Sequence, residues 1–382
     1  MKQKILINLL SEQKIPNLIP ILQIKPDKVI ALATDEFAWQ VKIFEELSKV
    51  PHELLPFSAY DFQGDITSFR KLLGELESEN EVFINFTGGT KIMAMSAVIS
   101  GITKRTENIA LIYVDTVNRR ITNLRMKGSG LQMDSQPINA VIPFPYYIAL
   151  SRDSITSSIE NQTPEEIERL ALTNELAQDR KLNGLFDTRI QRALCAASQE
   201  NTPFSIPFST NKVPAGKAES DESSFNFTIP GGKSFSFRHS DGARYLSGQW
   251  LEEYVFERLL KSKSFDSISR NVIISLRSDS IKALSEKRRR SPFTDKNELD
   301  IVAIAGKRAV IIECKSGNVL QDHVYKLASL RDYLLGSFGV AVLACKFEPG
   351  AHIIEKCSDL GILVVSGGAL PSIADDIKRK LD

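Results

Sequence analysis

Cysteine and histidine are scarce, four of each in 382 residues, and there are only two tryptophans. None of Cys195, Cys314, Cys345 and Cys357 belongs to a C-x-x-C pair. That excludes a disulfide framework and a cysteine-held zinc site, and it fits a reducing, cytoplasmic setting. His52, His239, His323 and His352 are scattered without a ligand pair, which speaks against a histidine metal site or a histidine general base. No apolar run approaches the ~18 residues of a membrane-spanning helix, so no membrane partner is expected. Ile5–Leu10 is short, interrupted by Asn8 and followed by no small-residue cleavage site, and reads as a buried first strand rather than a signal peptide. Charge of one sign is lacking as well: 48 Lys+Arg against 47 Asp+Glu, net +1. A strongly basic coat protein or an acidic tail is excluded for the chain as a whole, though not within one of its parts.

What is present is ample apolar material, 42% of the residues, in a chain long enough for two or three domains. Residues 1–145 alternate short runs that are apolar on both faces (4–10, 28–34, 53–57, 81–87, 108–116) with helical patterns (15–24, 35–49, 65–79, 88–103). This predicts an α/β, Rossmann-like domain with a mostly parallel sheet, extended by a hairpin through 121–126. Residues 146–240 read as a connector. In it, Thr163-Pro164-Glu165-Glu166 starts a helix with a capping box, and a second helix is expected over 188–198. The polar stretch 201–224 reads as a long, mobile connection, and Phe225–Phe237 as a Phe-rich hairpin around Pro230-Gly231-Gly232. Residues 241–382 return to a compact mixed α/β pattern.

Asn85-Phe86-Thr87-Gly88-Gly89-Thr90-Lys91 stands where a buried strand ends and a helix begins. Paired glycines let a backbone approach a ligand closely, and free N–H groups at a helix start attract phosphate. Thr87 and Thr90 offer hydroxyls, Lys91 a cation, and the turn through Ser11 leaves the first strand at the same sheet edge. The spacing matches neither the dinucleotide nor the triphosphate glycine motif. Tight strand-to-helix packing remains the alternative use of the two glycines.

A second constellation lies in the β-patterned runs flanking Gly306-Lys307. A two-residue type II′ turn there places Asp300 opposite Glu313 and Glu298 opposite Lys315, all on one face. Directly opposed acids are destabilising unless a raised pKa, the lysine or a cation offsets them. Two carboxylates suit Mg²⁺ or Mn²⁺, and a lysine beside the ion can orient or deprotonate water or stabilise phosphate charge. For Glu298 the plainer role is a surface ion pair with Lys315. Cys314 is expected to point into the core, leaving its carbonyl as a further metal ligand.

Asp300, twelve intervening residues, then Glu313-Cys314-Lys315 resembles the PD-(D/E)XK nuclease signature, with Leu299 where the proline would be. That resemblance implies a further acid from the preceding helix, Glu252 by choice with Glu253 open. The Thr87–Lys91 motif, together with Ile5–Gln13 and Ile15-Pro16-Asn17, resembles CARF domains, the cyclic-oligoadenylate sensors of type III CRISPR defence. Both motifs in this order resemble the homodimeric CRISPR ancillary nucleases with one CARF and one PD-(D/E)XK domain, covering roughly 1–145 and 241–382. The resemblance implies catalytic Asp300, Glu313, Lys315 and Glu252, and metal ligands Asp300, Glu313 and Cys314. It also implies ligand contacts from Ser11, Thr87, Gly88, Gly89, Thr90 and Lys91. The implied activator is cyclic tetra-adenylate, and the implied activity is Mn²⁺- or Mg²⁺-dependent cleavage of single-stranded DNA and RNA, with supercoiled or nicked DNA as a further substrate. A CARF-type regulator that binds nucleic acid without cutting it is the alternative function.

The basic run Lys282, Lys287-Arg288-Arg289-Arg290 and Lys296 serves equally as a solvated loop or a phosphate-attracting one. Lys326 and Arg331 on the following helix are likewise open between phosphate contact and surface charge. The Phe225–Phe237 hairpin has the residues to stack bases, though packing is the simpler use. Split by domain, residues 238–382 carry net +4 and 146–237 net −3, so whole-chain neutrality averages unlike parts.

Overall fold

The computed structural model describes residues 2–178, 192, 194, 204–210, 213–220, 224–229, 234–278, 280 and 296–381. The sites expected at Cys195, Lys282 and Lys287–Arg290, most of the helix expected over 188–198, and the turn at 230–232 lie outside the described residues. Two compact units divide at Arg152/Asp153.

In the first unit, β1 (Gln3–Leu9), β2 (Lys28–Ala33), β3 (His52–Pro56), β4 (Asn80–Asn85) and β5 (Ile109–Asp115) are parallel, and β6 (Arg120–Lys127) and β7 (Gly130–Pro137) add antiparallel. The order β3-β2-β1-β4-β5-β6-β7 reverses direction between β1 and β4. Leu6, Ile7 and Leu9 of β1, Val29 of β2 and Ile84 of β4 are fully buried, as strands covered on both faces demand. The covering helices are α1 (Ile15–Ile24), α2 (Gln40–Ser48), α3 (Phe62–Leu76), α4 (Lys91–Thr103) and α5 (Phe144–Leu150). Asp61 caps α3 by accepting the Gly64 N–H, and Thr90 caps α4 by accepting the Met93 N–H.

The second unit opens with β8 (Ser154–Ile159), α6 (Pro164–Glu168) and α7 (Leu170–Gln178). The Thr163–Glu166 capping box forms as the sequence predicts. A four-stranded antiparallel sheet follows: β9 (Phe204–Thr210), β10 (Val213–Ser220), β11 (Ser224–Thr228) and β12 (Ser234–Arg238). The connector expected over 146–240 is thus divided: β8 joins the sheet of the second unit, and the stretch expected to be a mobile connection holds two paired strands. Both were masked by composition. Proline punctuates the stretch, yet Pro207 lies on the edge strand β9, and Pro214 sits at a register shift in β10. Those are the places where a strand tolerates proline. β8 (Ser154–Ile159) is polar because it is an edge.

After α8 (His239–Arg244) a π turn, Tyr245–Gln249, leads into α9 (Trp250–Ser262). Then come β13 (Ser267–Ser275), β14 (Lys296–Ala305), β15 (Arg308–Lys315), α10 (Gln321–Leu335), β16 (Gly339–Cys345), α11 (Ala351–Asp359), β17 (Leu363–Ser366) and α12 (Ile373–Leu381). The six-stranded order is β17-β16-β15-β14-β13-β8, with β15, β16 and β17 parallel. Trp250, Leu251, Tyr254, Val255 and Leu259 of α9 share one core with Val310, Ile312, Val342 and Ala344 of the sheet. That packing seats the first turn of α9 on the strands that carry Asp300 and Glu313. Among the described residues, no helix is long and apolar enough to cross a membrane.

Candidate functional site

At the β1/β4 switch point a buried amide network joins the strand ends. Asn8 and Asn85 are register partners, both fully buried. Asn85 Nδ2 donates to Asn8 Oδ1 (2.7 Å) and Asn17 Oδ1 (3.2 Å), and Asn8 Nδ2 donates to the Asn17 carbonyl (2.9 Å). Asn85 Oδ1 accepts from the Thr87 hydroxyl (2.7 Å), which itself accepts the Val114 N–H (2.7 Å). The Thr90 hydroxyl donates to the Ala59 carbonyl (2.7 Å). Each of these two hydroxyls has its proton committed within the protein, so what it can offer a ligand is a remaining oxygen lone pair. Gly88 also answers to packing, since a Cβ there would stand 2.1 Å from the Leu9 carbonyl oxygen. Gly89 takes φ +75, open to glycine at little cost.

What remains available at this edge is the half-buried Ser11, the exposed Lys91 at the head of α4, and two buried polar atoms without a partner, Asn17 Nδ2 and Gln40 Oε1. Gln40 Nε2 donates to the Ser11 carbonyl (2.8 Å), which ties α2 to the β1 exit. The sequence reading missed Gln40, whose only signal is a polar side chain at the start of an amphipathic helix.

In the second unit the hairpin register is as the turn predicts: Ile301 pairs with Ile312 and Ala305 with Arg308. Gly306 has φ +58, the left-handed start a type II′ turn needs. Carried one step further, the register sets Asp300 opposite Glu313. The Cys314 N–H donates to Asp300 Oδ2 (2.7 Å), and Lys315 Nζ lies 2.6 Å from Glu313 Oε1. The expected Glu298–Lys315 ion pair is not the one that forms. Lys315 turns instead to Glu313, two residues back on the same face and less hydrated than the exposed Glu298.

Of the two acids in the first turn of α9, Glu253 is taken by the Arg169 guanidinium (Nε to Oε2, 2.9 Å). Glu252 lies in the field of the hairpin acids. Burial first, then Asp300 and Glu298, push its carboxyl up to about 9. Asp300 is pushed up to about 7 by burial and by Glu313, against the pull of Lys315 and the Cys314 N–H. Burial favours a neutral Lys315, yet Glu313 and Asp300 outweigh it and hold the lysine as a cation. Ser316 Oγ donates to the Ser247 carbonyl (3.3 Å), fastening the π turn beside Lys315.

His323, which the sequence reading set aside, stands in the first turn of α10 within the field of Lys315 and Glu313; burial lowers its pKa. Arg331 donates to the Leu360 carbonyl (2.8 Å) and pairs with Asp332 (2.7 Å), so part of its donor set has a structural use. Phe225 and Phe227 are fully buried, which bears out packing for that half of the hairpin.

Among the described residues, no group of three or more His, Cys, Asp or Glu side chains stands ready to hold a metal ion. The donor set nevertheless fits a hard divalent cation. Two opposed carboxylates carry raised or lysine-shared charge, and Mg²⁺ commonly takes one or two carboxylates and fills its remaining positions with water and substrate phosphate. The Cys314 thiol is buried and pushed well up by that burial, so only its carbonyl is a candidate ligand.

Fold and site together define a protein class: a Rossmann-like sensor domain followed by a restriction-endonuclease-like domain. Residues 5–141 match the model of the Card1 CARF domain, and residues 239–381 that of the Card1-like endonuclease domain. The chain belongs with the Card1-like proteins, carrying both domains in that order. Among solved structures it is similar to Can2 from Sulfobacillus thermosulfidooxidans in complex with cyclic tetra-adenylate, at 19% identity and TM-score 0.70, covering 99% of each chain. It is also similar to protein VC1899 from Vibrio cholerae, at 16% identity and TM-score 0.74, covering 98% of this chain and 97% of that one. A type III CRISPR defence DNA nuclease activated by cyclic oligoadenylate matches at 14% identity and TM-score 0.55, covering 97% of this chain and 50% of that one. No curated protein matches.

Proposed function

We propose that the chain is a nuclease of type III CRISPR defence, switched on by cyclic tetra-adenylate and acting as a homodimer on single-stranded DNA and RNA with Mn²⁺ or Mg²⁺. The observation that carries the reading is the convergence of Asp300, Glu313, Lys315 and Glu252 within a domain matched by an endonuclease model. Such crowded acids are a cost to a domain that only binds nucleic acid, so the non-cutting regulator gains no support.

Asp300 and Glu313 would hold the cation, with the Cys314 carbonyl beside them. Bound there, the ion would polarise the scissile phosphate and lower the pKa of water. Lys315, 2.6 Å from Glu313, is placed to assist the attacking water or to hold phosphate oxygens. Glu252 adds a further carboxyl beside the hairpin acids, held close enough to feel Asp300 and Lys315. In the sensor domain, Ser11, Thr87, Gly88, Gly89, Thr90 and Lys91 form the ligand-facing surface, the two threonines also holding the loop through their own hydrogen bonds.

The test incubates the protein with labelled single-stranded DNA and RNA and Mn²⁺, with and without cyclic tetra-adenylate, beside Glu313→Gln. Cleavage that needs the cyclic ligand and disappears in the variant is expected. No cleavage anywhere, or equal cleavage by the variant, would sink the nuclease reading. Cleavage indifferent to the ligand would remove the gating alone.

A further inference from the structure

The second unit has a concave surface that the reaction leaves unused. A cavity of about 760 Å³ is walled by β12, the N-terminal end of α6, α8 and Gln249. Its size is that of pockets that enclose a small-molecule-sized group.

Its inner wall is aromatic and fixed. Phe235 and Phe237 alternate along β12 and are half-buried, unlike their register partners Phe227 and Phe225, which are wholly buried. Phe237 meets Phe225 edge-on (centroids 5.9 Å) and Tyr245 at 5.2 Å. The Arg169 guanidinium lies over the Tyr245 ring (4.8 Å) and is locked there by its fork onto Glu253. Two further guanidinium groups line the cavity, Arg238 at the end of β12 and Arg244 at the end of α8. The cavity reaches the head of the helix that carries Glu252: Gln249, which lines it, precedes Glu252 by three residues, about one turn.

We propose that this cavity is a subsite for one nucleotide unit of a single-stranded substrate next to the bond being cut, its base against Phe235 and Phe237 and its phosphate on Arg238 and Arg244. The proposal rests on the nuclease reading above. Aromatic faces suit any base, which gives affinity without sequence preference. Glu165, Glu168 and Asp241 line the same cavity. They repel a second phosphate backbone, so the subsite favours a single strand over a duplex.

The test uses the full chain carrying Glu313→Gln, with cyclic tetra-adenylate and Mn²⁺, and fluorescence anisotropy of labelled 12-nucleotide DNA and RNA strands and their duplexes. Adding Phe235→Ala is expected to weaken single-strand binding about tenfold, within the range of one lost base stack. Adding Arg244→Gln is expected to flatten the salt dependence by about 0.7 in log–log slope, one phosphate contact on a single strand. A 5-iodouridine strand should cross-link within residues 234–244. Unchanged affinity and salt slope, cross-links confined elsewhere, or duplex binding as tight as single-strand binding would each overturn the subsite. Should Phe235→Ala fail to fold, the exposed Arg244 and the cross-link decide. Cleavage by the chain with Glu313 intact is scored separately, so loss of the nuclease reading and loss of the subsite remain distinguishable.

Discussion

In chelator-treated buffer at pH 8, Asp300→Asn is expected to make the second unit more stable, although it deletes a central group of the candidate reaction site. The carboxyl of Asp300 is pushed from 3.8 to about 7 by burial and by the opposed Glu313. Each pKa unit corresponds to about 1.4 kcal/mol, so the shift of roughly three units caps the cost of the charge near 4 kcal/mol. Asn keeps an acceptor for the Cys314 N–H, while Lys315 loses one of its two attractions. About half the cap, roughly 2 kcal/mol, is therefore the expected gain. For a unit spanning 153–382 that is about 4–8 °C in Tm. The pH dependence has a definite sign. Below pH ~4 the carboxyl is neutral in both folded and unfolded chains and costs nothing. Between about 4 and 7 the unfolded chain releases its proton first, so wild-type stability falls as pH rises. Above 7 the full cost is present. Thermal unfolding at pH 4.5, 6 and 8 should show the advantage of the variant growing across that window. Mn²⁺ should raise the wild-type Tm at pH 8 and leave the variant nearly unmoved. A variant equally or less stable at pH 8, or a gain independent of pH, would refute the argument that burial and the neighbouring Glu313 hold this carboxyl high.

Two further predictions concern the sensor unit. Gly88→Ala is expected to destabilise it by on the order of 3 kcal/mol in urea unfolding, because the new Cβ would lie 2.1 Å from a backbone oxygen of β1 that cannot swing away. A loss below 1 kcal/mol would mean that the two strand exits are not in close approach. Thr90→Val should cost about 1 kcal/mol through the lost cap on the Met93 N–H, with cyclic tetra-adenylate affinity by calorimetry changed only a fewfold. A hundredfold loss of affinity at unchanged stability would mark Thr90 as a major ligand contact.

The parallel core of the first unit was legible because runs apolar on both faces alternate there with helical patterns. The hairpin of the second unit was legible for a different reason. A glycine at a two-residue turn sets register, and that register, paired as far as Ile301 and Ile312, brings Asp300 and Glu313 into each other's field just beyond it. What escaped reading was polar or proline-bearing strand. β8 and β9 are edges, so half of each can face water, and Pro207 costs nothing where no ladder partner is needed. Partner choice among charges also escaped it. Lys315 had Glu298 and Glu313 on one face, and only relative exposure separates them. Glu252 and Glu253 differ in partner because Arg169, distant in sequence, claims the second.

The two candidate sites differ in what their polar groups lack. At the sensor edge, Asn8, Asn85 and Thr87 satisfy one another, and an unpaired buried amide or hydroxyl would cost about 1–3 kcal/mol. The loop holding Gly88 and Gly89 is thus shaped by the protein itself before any ligand arrives. The hairpin site is the reverse. Its Asp300 and Glu252 are neutralised at the expense of their ordinary pKa values, with one lysine among three acids. A divalent cation would offset both the burial and the mutual repulsion that hold these carboxyls high. The same crowding that Asp300→Asn relieves is therefore the source of the cation's affinity, so stability gained by that substitution should be matched by metal binding lost.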